Sequence, residues 1–162
     1  MAYYSIQGQE VRGEDTLPQS TQTFQQYIEQ LSPTRVTIFH QQIQTWGKHN
    51  LSPGPMLADR IHVGDDDTLY FEFVKKTKPQ PLTQIGPAPD LAGWLVLLDK
   101  FMETYVVIAR ARTLWTPAEL AGALSFTTLA LLPKALVHTP PDNWHRVAQA
   151  LAIAVADGPL NS

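Results

Sequence analysis

The longest run of helix-spaced apolar residues is Leu91 to Arg112, LAGWLVLLDKFMETYVVIARAR. As one helix it would extend about 33 Å at 1.5 Å per residue, enough to cross a bilayer. Asp99, Lys100 and Glu103 fall near its middle, where charge is costly in hydrocarbon. At 100° per residue, Asp99, Glu103 and Arg110 gather within about 40°, and Lys100 can pair with Glu103 at i, i+3. The rest of the circumference is apolar, carried by residues such as Leu91, Trp94, Leu98, Phe101, Tyr105 and Ile108. One narrow wet stripe predicts the central helix of a soluble domain, with Asp90 as its N-cap.

Helical spacing recurs elsewhere. Ser20 can cap a short helix to Leu31 with Phe24, Tyr27, Ile28 and Leu31 on one face. Ser32-Pro33 restarts the chain into Thr34 to Gly47, where Val36, Phe39, Ile43 and Trp46 fit a helix that Gly47 stops. The β-branched run Val36-Thr37-Ile38 argues for a strand there; the apolar spacing favours the helix. Thr116-Pro117-Ala118-Glu119 forms a capping box for a helix to about Leu132, ended or kinked by Pro133. Thr139-Pro140-Pro141-Asp142 opens a last helix with Trp144, Val147, Leu151 and Val155 as its buried stripe and Gly158 as its stop.

Alternation with period two marks Ala58 to Lys75. Ile61 and Val63 precede Gly64-Asp65-Asp66-Asp67, and Leu69, Phe71 and Phe73 share a face beyond it. This predicts a hairpin, which needs a helix or the N-terminal segment to pack on. Residues 1–19 read as an irregular tail or a short strand over Ala2 to Gln7. Asn50 to Pro55 reads as a loop, and Pro79, Pro81, Pro87 and Pro89 make 76–90 an extended strap. The expected fold is α+β and mostly helical: one domain over 1–162, with helices in 20–48, one small antiparallel hairpin in 58–75, and a helical bundle in 91–156.

Composition narrows function more than it identifies it. Hydrophobic residues are 44% of the chain and charged ones 17%, against about 25% in typical domains. A net charge of −3 and a pI near 5.9 argue against a general nucleic-acid surface. The lack of cysteine excludes disulfides, thiol nucleophiles and zinc-thiolate sites. No secretory signal is visible, so a cytoplasmic location is expected.

Candidate chemistry is sparse. Asp65–Asp67 with His62 nearby lacks the ligand alternation of a calcium loop and reads as a polar turn. None of the five histidines sits in a zinc-binding pair, although His138 and His145 could approach each other; His145 reads as a surface residue. Lys75-Lys76-Thr77-Lys78 reads as a solvated strand end. Thr116 to Val137 opens like a helix-turn-helix, but its second half lacks residues that reach base edges. No catalytic residue, cofactor or metal site is expected. The first expectation is a non-enzymatic accessory or assembly factor that contacts a protein partner or a second copy of itself. The contact surface would include Ala123, Phe126, Thr127 and Ala130, in a stretch without charge between Glu119 and Lys134. The alternative is a small-molecule-binding domain or enzyme with a pocket between hairpin and helices, lined by His62, Tyr70 and Trp94. A degenerate helix-turn-helix regulator comes third.

Overall fold

The computed structural model describes residues 2–73, 80–81 and 86–158, and its fold is α+β. The N-terminal segment is a full hairpin: β1 (Ala2–Gln7) and β2 (Glu10–Glu14) pair antiparallel, with Gln7 opposite Glu10. Gly8 sits in the two-residue loop at φ 66°, the left-handed region such loops require. The predicted hairpin is β5 (Ile61–Val63) and β6 (Leu69–Phe73), joined by a turn in which Asp67 has φ 62°. Chain order does not give the sheet order. A two-residue strand β3 (Gln22–Thr23) edges β5, and β1 pairs with β6, giving β2-β1-β6-β5-β3. The sheet is therefore larger than the single hairpin expected. A separate pair joins β4 (Leu51–Ser52) to β7 (Gln80–Pro81).

The helix expected from Ser20 is shorter and starts later. Thr23 caps α1 (Phe24–Tyr27) in a capping box with Gln26, and a single 3-10 turn over Ile28–Gln30 follows. Ser20 instead donates to the Asp65 carboxylate in the hairpin turn. Helix α2 (Pro33–Lys48) begins at the Ser32 cap, so helical spacing prevails over the β-branched run. Asn50, at φ 55°, takes the left-handed position after it rather than Gly47. Gly47 has another duty. A Cβ placed there would lie 3.3 Å from Pro87 Cβ, so its absence lets the end of α2 approach the next helix closely.

The predicted central helix is two helices. α3 (Pro87–Asp99) and α4 (Thr104–Arg112) are separated by 100–103. Gly86, not Asp90, is the N-cap, and Pro87 and Pro89 lie inside the first turn, where a missing N–H costs little. The break has a tertiary cause. Asp99 turns inward, accepting from Arg146 Nη2 at 2.6 Å and from Asn143 Nδ2 at 2.9 Å. Lys100 Nζ donates to the carbonyls of Thr139 and Pro141, each at 2.7 Å, and to Asn143 Oδ1 at 3.0 Å. Two charges that a continuous helix would show to water are thus spent on the segment entering the last helix. Tyr105, expected on the apolar face, is exposed.

Helix α5 (Pro117–Phe126) starts at the predicted capping box, with Glu119 N to Thr116 Oγ1 at 3.1 Å and Thr116 N to Glu119 Oε1 at 2.9 Å. It stops six residues before Leu132, because Thr127 leaves the helical region and bonds Ala123 O through its hydroxyl. A short α6 (Lys134–His138) follows Pro133, and α7 (Trp144–Asp157) begins after Asn143 and ends at Gly158, φ 78°. Thr116→Ala is expected to lower stability by about 1 kcal/mol, the usual value of such a cap. Urea unfolding checks this, and an unchanged midpoint would show that the box contributes nothing.

The apolar core is continuous from the inner face of the sheet (Ile61, Val63, Leu69, Phe71) through α2 and α3 to Leu120, Ala123, Val147 and Leu151. At its centre, Trp94 Nε1–H donates to His40 Nδ1 at 2.9 Å, so His40 carries its proton on Nε2 and donates to Val107 O at 3.1 Å. One imidazole thereby joins α2, α3 and α4.

Candidate functional site

The close approach at Gly47 shapes a cleft of about 380 Å3 between the end of α2, the start of α3 and the α4–α5 connection. That is within the size range of small-molecule sites. Its walls are mostly apolar: Ile43, Trp46, Met56, Leu91, Leu114 and Trp115. Gln44, also on the wall, donates to Leu114 O at 2.7 Å and fixes α2 against the end of α4. Lys48 and Glu119, of opposite sign, lie at the exposed rim.

The buried polar group of this cleft is Asp90, 8% exposed. Ser52 Oγ donates to its Oδ1 at 2.9 Å and is its only hydrogen-bond donor among the described residues. Ser52 Oγ also accepts from Gly54 N at 3.3 Å, which sets its direction. A helix N-terminus normally solvates a carboxylate through free N–H groups. Here the first and third helical positions are Pro87 and Pro89, so two of those donors do not exist. Burial therefore dominates and raises the Asp90 carboxyl from 3.8 to about 7, with the Ser52 bond opposing. Trp46 brings an unpartnered group. Its indole N–H is buried and has no partner among the described residues. Both residues line the cleft, Asp90 with no countercharge among the described residues and Trp46 with its N–H shielded from solvent.

The residues singled out from sequence fall elsewhere. His62 and Tyr70 are opposite each other on β5 and β6, on the face alternating with the buried Ile61, Val63 and Leu69. His62 Nε2 lies 3.1 Å from Glu72 Oε2, and the Tyr3 ring meets the imidazole edge-on. Burial first, and the Asp66 carboxylate next, raise the Tyr70 phenol. Trp94 lies across the sheet in the core, so the three do not line one pocket. Of the surface set, Ala123 and Thr127 are buried within the chain, because α5 packs against both α3 and α7; Phe126 is half-buried and Ala130 exposed.

Asp65–Asp67 serve the turn. Thr68 N bonds Asp66 Oδ1 at 3.2 Å, Tyr27 Oη donates to Asp67 Oδ1 at 3.1 Å, and Gln42 bridges Asp67 O and Leu69 N. Among the described residues no group of three or more His, Asp or Glu is placed to hold a metal. His138 and His145 are both exposed. The basic run Lys75–Lys78 and most of the 76–90 strap lie outside the described residues. No helix among the described residues is long and apolar enough to cross a membrane.

Sequence reasoning treated Asp90 as a cap and Trp46 as core. The signal that could have found the site is Pro-Ala-Pro-Asp at 87–90, an acid placed just where prolines remove the donors that would solvate it. In comparisons with known proteins, the chain matches no family model, no curated protein and no solved structure.

Proposed function

We propose that the protein is a small-molecule-binding domain whose ligand occupies the cleft beside Asp90. The observation that carries this reading is an apolar cleft of about 380 Å3 whose buried polar group, the Asp90 carboxyl, has no countercharge among the described residues. Buried polar groups are normally satisfied, and a site for a polar ligand is where they are not. Binding is favoured over chemistry because acid–base work needs a second group near the reacting atoms; among the described residues, the other charged groups of the cleft are at its rim. A diverse fragment set, screened by NMR on the indole N–H resonances of Trp46 and Trp115, tests the reading. Hits are expected to shift both resonances and to be lost in Leu114→Trp, which fills the cleft from its half-buried wall. No hits, or hits that persist in a folded Leu114→Trp protein, would refute it.

A second reading, an accessory or assembly factor acting through protein–protein contacts, draws on Leu129 and Leu131, each 56% exposed beyond the end of α5. Exposed large apolar side chains close together favour association. Sedimentation velocity at micromolar concentration tests self-association. A species heavier than 18.1 kDa that reverts to monomer in Leu129→Asp supports the reading, and a monomer throughout counts against a homo-oligomer.

A further inference from the structure

We propose that the cleft selects a small organic cation, a primary ammonium on an apolar frame, with the ammonium on Asp90. This rests on the reading of the cleft as a binding site and specifies its ligand. Asp90 offers lone pairs and, among the described residues, accepts one hydrogen bond, from Ser52. Two of the N–H groups at this helix start are absent by sequence, since Pro87 and Pro89 have none. A ligand with N–H donors and positive charge supplies both missing quantities. A metal ion is a poorer fit, because hard cations need several oxygen ligands and no group of three His, Asp or Glu among the described residues is placed to hold one. The same aromatic and aliphatic wall suits the carbon frame of an amine, and indole faces attract ammonium groups. Lys48 and Glu119 at the rim cancel to first order and leave Asp90 as the charge that discriminates.

The experiment titrates the full chain with three molecules of one frame: phenylalaninol, phenylpropanediol and phenyllactate, bearing an ammonium, a hydroxyl and a carboxylate respectively. The readout is the Trp46 indole resonance. Phenylalaninol is expected to shift it at concentrations where the other two do not. Asp90→Asn is expected to weaken phenylalaninol by about tenfold or more, the equivalent of one lost charge-assisted hydrogen bond. Circular dichroism of the variant establishes that it is folded. If phenylpropanediol or phenyllactate binds as well as phenylalaninol, the cleft remains a site and the cation assignment is wrong. If none of the three binds while the fragment screen yields neutral hits, the assignment is again wrong. If neither the three molecules nor the screen gives a shift, the cleft reading falls and takes the assignment with it.

Discussion

Trp94→Ala is expected to destabilise the protein by about 3–5 kcal/mol, the range for removing a large aromatic from a packed core. The side chain is fully buried among Phe24, Phe39 and His40. Its loss leaves a cavity and also leaves His40 Nδ1 without its donor. The upper part of the range is expected for that reason, since an orphaned buried acceptor costs about 1–3 kcal/mol. Trp94→Phe separates the two contributions by keeping most of the volume and removing the N–H, and should cost about 1–3 kcal/mol. Urea unfolding of both variants is the measurement. A Trp94→Ala protein within about 1 kcal/mol of the parent would mean that the core can close over the gap, and that the imidazole link between three helices is dispensable.

Asp90→Asn is expected to stabilise the protein above neutral pH and to change little near pH ~4. The sign follows from proton counting. The Asp90 carboxyl is at about 7 in the folded chain and near 3.8 when unfolded. Between those values the folded state keeps a proton that the unfolded state has lost, so stability falls as pH rises through the window. Above it the deficit is on the order of 4 kcal/mol, at 1.36 kcal/mol per pH unit. His40 works in the opposite direction. Burial first, with the Arg110 charge adding and the Val107 bond opposing, lowers it from 6.5 to about 4. The unfolded state therefore takes up a proton that the folded state refuses, and stability rises with pH between those values. The two slopes offset each other in the parent protein over roughly pH 4 to 6.5. The informative quantity is the difference between parent and Asp90→Asn across pH ~4 to ~8. A widening difference with rising pH is expected, and in the variant the His40 slope stands uncovered. Parallel profiles would show that the folded protein ionises Asp90 without penalty.

Local chemistry was legible wherever it was self-contained. The capping box at Thr116 and Glu119, the Ser32-Pro33 start of α2, the hairpin turn at Gly64–Asp67 and the Gly158 stop all appear in the structure. Each depends on groups within about four residues of one another, so the sequence window contains the whole interaction. The break after Asp99 was not legible. Apolar residues on both sides of it keep helical spacing, and the groups that break the helix, Asn143 and Arg146, lie more than forty residues away. Strand β2 was missed because it is mostly exposed and lacks a clear apolar alternation; its pairing with β1 defines it.

By itself, then, the sequence determined the α+β class, the starts of α2 and α5, the hairpin of β5 and β6, and most of the core, including Trp94 and Leu151. Periodicity and capping are properties of contiguous residues, and they survive without knowledge of what packs against them. Only the tertiary structure decided that α5 is enclosed by α3 and α7, which turns Ala123 and Thr127 inward. Only it decided that a carboxyl in the first turn of α3 meets Ser52 in a cleft with Trp46 rather than facing water as a cap. The reason is the same in both cases. Burial depends on which elements arrive on the remaining face of a helix, and desolvation, which gives Asp90 its character, exists only once they have arrived.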